Sequence, residues 1–213
     1  MIASRLIRLG GALAAVAGGA SWVFLCYRMH MHIGVGDGVP PLRNTQFLFW
    51  IPLLLMGGGL VGLYTRRPFG RLGRIGLACA LVGSLVGAAG VAMMACFPSI
   101  QDILSQAAID CGPIGWLLSG LGTAALYIGL VLFGSATVRR RVLPRWNALP
   151  LVMGLLGLGG LPVGYVGMAV DGLGLARLLD TTTLILFGLC WVALGYVLWS
   201  DNDERAKQPE VAA

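Results

Sequence analysis

Residues 28–32 read RMHMH and hold both histidines of the chain. Met29, His30, Met31 and His32 follow Cys26 closely. Thioether, imidazole and thiolate are the soft ligands that select Cu(I). In an extended segment alternate residues face the same way, so His30 and His32 would converge on one ion. Met93, Met94 and Cys96, with Met168 further on, are expected at the same level. A His/Met pair also suits a haem iron. His30, His32, Met29 and Met31 are therefore the candidate metal ligands, for copper or haem. Methionine is equally an ordinary apolar residue, and two histidines in a loop need no metal. A chain without a cofactor is the leading expectation.

The remaining chemistry is sparse. The five cysteines include no C-x-x-C pair, which argues against a thioredoxin-like disulfide generator. Cys79 and Cys190 sit in apolar runs and read as small core residues. Cys96 and Cys111 bracket the segment PSIQDILSQAAID and are candidates for a disulfide closing that hairpin. Within it Ser99 and Asp102 resemble a capping box, and Ile100, Ile103, Leu104 and Ala107 share a face. A short amphipathic helix lying in the membrane interface is expected there. The GVGDG stretch lacks the Lys-Ser/Thr of a phosphate loop. No nucleophile–base pair with a histidine falls in an apolar run, so no catalytic machinery is expected. No ionisable residue falls at mid-membrane, which argues against a proton-coupled pump.

The elements that carry these residues are apolar throughout. Of 213 residues, 57% are hydrophobic and 11% charged. Soluble domains carry about 25% charge. Mean hydropathy is +0.84. Asp, Glu, Lys and Arg are absent from 9–27, 44–65, 75–101, 111–138, 146–170 and 181–200. Each interval approaches or exceeds the roughly 20 residues a helix needs to cross a bilayer core. The runs are continuous rather than alternating, which favours helices over barrel strands. The predicted fold is an all-α integral membrane bundle of six transmembrane helices at about 9–27, 44–65, 75–97, 113–137, 147–170 and 181–199. They form one domain, 1–200, followed by a disordered cytoplasmic tail, 201–213. Arg5 and Arg8 ahead of an apolar run resemble a signal peptide, but Trp22 to Leu25 extend the run past a cleavage site, so a retained anchor is expected.

Charge sets the orientation. With the N-terminus inside, Arg5, Arg8, Arg66, Arg67, Arg71, Arg74, Arg139, Arg140, Arg141, Arg145, Arg205 and Lys207 fall on the cytoplasmic side. Arg28, Arg43 and Arg177 fall outside. This asymmetry predicts an N-in, C-in topology. The turns holding Arg66, Arg67, Arg71 and Arg74, and Arg139, Arg140, Arg141 and Arg145, read as topology signals attracted to anionic lipid headgroups. Two short turns supply no surface for nucleic acid. Helices 2–3 and 4–5, each joined by a basic turn, form two related hairpins in a weak internal repeat.

The turn Arg141-Val142-Leu143-Pro144-Arg145-Trp146, with the helices either side of it, resembles that of a loose group of bacterial multi-pass inner-membrane proteins of unassigned activity. The resemblance implies a bacterial inner-membrane setting and no particular chemistry. Fourteen of the fifteen basic residues being Arg fits the same setting.

Thirty-three glycines fall mostly inside the spans. Small-xxx-small pairs recur at Ala14/Gly18, Gly58/Gly62, Gly83/Gly87 and Gly160/Gly164, a pattern that lets helices approach closely. Pro52 and Pro162 are expected to kink helices 2 and 5. Three functions fit. The leading one is a structural or accessory subunit that binds other membrane-protein subunits or its own copies. The second is an outer-face copper or haem protein. The third is a transporter of an uncharged or lipid-like molecule, with a cavity between helices 2 and 5 lined by residues such as Ser84, Ser119 or Thr123.

Overall fold

A computed structural model describes the backbone of residues 2–34, 48–64, 69–104, 111–140, 146–169 and 174–206, and the side chains of 6–7, 9–28, 48–64, 69–94, 113–140, 146–162 and 178–200. The described residues form six helices and no strand: α1 Ile2–Gly34, α2 Trp50–Tyr64, α3 Gly70–Leu104, α4 Cys111–Arg140, α5 Leu149–Ala169 and α6 Gly174–Ala206. Four contain runs long and apolar enough to cross a membrane: Leu9–Arg28, Gly70–Met94, Pro113–Arg140 and Leu178–Ser200. Large apolar side chains also face outward, among them Leu13, Phe24, Val82, Leu121, Leu155 and Tyr196. A bundle apolar on both its inner and outer faces is suited to lipid rather than water.

Each helix packs against the next in sequence, and α6 returns to α1, closing a ring. Neighbours run antiparallel, so the start of α1 and the end of α6 share one end of the bundle. Aromatic rings fill much of the interior. Phe187 lies edge-on to Trp22, Tyr127 and Trp191, with centroids 5.6, 5.2 and 6.4 Å apart. Trp22 Nε1 also donates to the Leu184 carbonyl at 3.1 Å, tying α1 to α6.

Glycine decides how close the helices come. On α3, Gly76, Gly83 and Gly90 recur every seventh residue, and they face Gly129, Gly122 and Gly115 of α4 in one constant antiparallel register. A methyl at Gly76, Gly83 or Gly90 would fall under 3.0 Å from backbone atoms of α4. The seven-residue period holds the seam on one side of both helices. On α1, Ala14 meets Gly58, Gly11 meets Gly62 and Gly18 meets Met56; on the α6 side Gly19 meets Gly188. Gly134 and Gly157 of the α4–α5 pair seat Leu151 and Tyr127. The α2–α3 pair instead closes through a hydrogen bond from the buried Ser84 hydroxyl to the Leu53 carbonyl. Different contacts therefore hold the two expected hairpins.

Several expected boundaries shift. Residues 28–34 are helical rather than an outer loop, and 174–180 are the first turns of α6. Residues 99–104 continue α3 instead of forming a separate interfacial helix. The first part of the expected disordered tail, through Ala206, extends α6. All four follow from cooperativity, since extending a formed helix costs far less than starting one. Helix α2 is shorter than the predicted span, 15 residues or about 22 Å by helical rise. Pro52 lies in its first turn, where the missing N–H has no helical role, so it caps rather than kinks. Pro162 does lie inside α5.

Candidate functional site

The ring is not filled evenly. A cavity of about 250 Å³ opens between α4, α5 and α6, with Met94 of α3 at its side. Three helical stripes line it. On α4 they are Trp116, Ser119, Gly120, Thr123 and Tyr127, and on α6 Asp180, Thr183, Leu184 and Phe187. These spacings of three and four put each set on one helix face. On α5 the lining is Leu156, Gly157, Gly160 and Leu161, and glycine there withdraws the side-chain volume that would close the space. The Tyr127 ring lies directly on Gly157, and the Thr183 methyl lies 3.2 Å from where a Gly160 Cβ would stand.

The cavity is a polar spot in an apolar bundle. Thr183 donates its hydroxyl proton to the Leu179 carbonyl at 2.7 Å, leaving its oxygen free to accept. Ser119, Thr123, Tyr127 and Asp180 have no hydrogen-bond or ion-pair partner among the described residues. Tyr127 is only 2% exposed. Ser119, Thr123 and Asp180 are half-buried, and polar groups removed from water in this way gain from a partner. Asp180 is half-buried and sits in the second turn of α6, beyond the reach of the helix dipole.

The cavity does not lie between helices 2 and 5. Those helices share no contact, because the sequential ring puts them on different sides. Of the expected lining, Ser119 and Thr123 are present, whereas Ser84 is fully buried between α2 and α3 and hydrogen-bonded to Leu53. Asp180 escaped the sequence reading because it immediately precedes the charge-free interval 181–200. Its spacing to Thr183, Leu184 and Phe187 was the available signal.

The RMHMH segment is helical, so His30 and His32 stand about 200° apart around the α1 axis rather than on one side. The side chains of Met29, His30, Met31 and His32 lie outside the described residues, as do those of Cys96, Cys111 and Met168. Met93 and Met94 are half-buried, and Cys26 is buried. Among the described residues no three His, Cys, Asp or Glu groups gather as a metal site. Cys79 is half-buried, its thiol 3.4 Å from the Ala125 carbonyl of α4, and Cys190 is half-buried on α6.

Arg71, Arg74, Arg139 and Arg140 are exposed at the end of the bundle that holds the start of α3 and the end of α4. Gly70, at φ +63°, begins α3 with the Arg140 guanidinium packed against it, so the start of α3 adjoins the end of α4. Arg66, Arg67, Arg141 and Arg145 lie outside the described residues. A second space, an apolar groove of about 380 Å³ between α2 and α3, has Arg74 and Tyr64 at this end.

No protein-family model matches the chain, and no curated protein or solved structure is detectably similar to it.

Proposed function

We propose that this chain is a six-span protein of the bacterial inner membrane, with both termini cytoplasmic, that holds or passes a small amphipathic molecule without catalysing a reaction on it. The observation that carries this reading is the cavity between α4, α5 and α6, where Ser119, Thr123, Tyr127 and Asp180 make no hydrogen bond or ion pair among the described residues. Apolar walls with a few convergent polar groups are the usual make-up of a small-molecule site. The basic end of the bundle, with Arg71, Arg74, Arg139 and Arg140, supports the cytoplasmic assignment and an association with anionic lipid headgroups.

The accessory-subunit reading drew on abundant packing glycines. Most described glycines sit within the chain's own helix contacts, whereas Gly10 and Gly159 have open space where a Cβ would stand. That feature therefore favours internal packing over a partner's face. The test is native mass spectrometry of the protein extracted in mild detergent from its own membrane. A small organic adduct is expected on the wild type and not on Ser119→Phe, which fills the cavity. Co-purified subunits without a small molecule would sink the proposal and restore the accessory reading. A copper or haem mass would point instead to the RMHMH segment.

A further inference from the structure

We infer that the molecule held in the cavity carries a compact positive charge, an ammonium group on a small apolar body, recognised by Asp180. This rests on the cavity being a binding site, as proposed above. Asp180 brings a carboxylate to the wall, and among the described residues no Lys, Arg or His lines the cavity with it. A half-buried carboxylate with no cation beside it is unfavourable, and an occupant of opposite charge removes that penalty. An anionic occupant would add to it.

The rest of the wall agrees. Trp116, Tyr127 and Phe187 line the same cavity. Aromatic faces attract ammonium groups through the ring quadrupole, more strongly where water is excluded. Ser119 and Thr123 offer hydroxyl oxygens that can accept hydrogen bonds from N–H donors. The volume of about 250 Å³ lies below the roughly 300–1,000 Å³ of ordinary ligand pockets, so the occupant is small.

The test uses purified full-length protein in lipid nanodiscs and two probes of nearly equal shape. Benzylammonium carries the charge and the N–H donors; ethylbenzene is its neutral carbon counterpart. Binding is followed by tryptophan fluorescence, with Trp116 as reporter. The wild type should bind the cation about tenfold or more tightly than the neutral probe, a gap of the size charge and aromatic contacts supply. Asp180→Asn should lose that preference and still bind the neutral probe, which shows that the cavity survives the substitution. Asp180→Glu should restore part of it. Equal binding of both probes by the wild type would overturn the inference and leave the binding site standing. Failure of both probes to bind would overturn the binding site and the inference together.

Discussion

Adding one methyl at Gly83 should damage this protein far more than adding the same methyl at Gly159. A Cβ at Gly83 meets the Leu126 nitrogen, the Gly122 carbonyl oxygen and the Ala125 carbonyl carbon, all backbone atoms of α4. Backbone cannot rotate away as a side-chain tip can, so α3 and α4 must separate along the glycine seam. Overpacking of this kind costs about 1–3 kcal/mol. At Gly159 no atom lies within 4 Å, and the residue is exposed. There alanine gains about 0.5–1 kcal/mol of helix propensity. The same propensity gain applies at Gly83 and cancels, so the two variants should differ by the overpacking cost of about 1–3 kcal/mol, and Gly83→Ala should unfold several degrees lower. Thermal unfolding in one detergent, followed by intrinsic fluorescence, measures this directly. Equal melting of the two variants would refute the tight α3–α4 seam.

Other substitutions probe single contacts. Thr137→Val removes a buried hydroxyl that donates to Gly134 or Asn147 carbonyls at 2.8 and 2.9 Å, and should cost about 1 kcal/mol in the same melting assay. Ser84→Ala breaks the α2–α3 hydrogen bond to Leu53 and should cost about 0.6 kcal/mol, the average for such bonds within membranes, leaving the cavity and probe binding unchanged. Cys26 is 3% exposed. As the sole cysteine it should resist a maleimide in the native protein and react after unfolding in SDS; rapid native labelling would contradict its burial. A reporter fused after Ala213 should be active only in its cytoplasmic form, whereas a periplasm-dependent signal would reverse the topology.

Six apolar helices were legible because charge is excluded from each run, and the bundle keeps all six. Their ends were less legible. Charge marks where a chain leaves the bilayer, while helix propagation carries α1, α3 and α6 past that point. The glycine seam was partly legible: a search at four-residue spacing finds Gly83 and Gly87, but the working register of Gly76, Gly83 and Gly90 has a seven-residue period. Ser119 and Thr123 were readable as polar residues in a span, yet their partners were not, because the order of helices around a ring is set by packing between distant segments. Asp180 shows the limit most clearly. A rule that defines spans by the absence of charge places any carboxylate outside them, including one that turns toward a cavity.

The central claim is that the space between α4, α5 and α6 is a binding site. It is tested most directly by an experimental structure of the protein extracted from its native membrane with its surrounding lipid. Compact density of a small molecule is expected in that space, in contact with Asp180 and the Tyr127 ring. A cavity closed by α5 packing onto α6, with Asp180 turned to the aqueous surface, would contradict it.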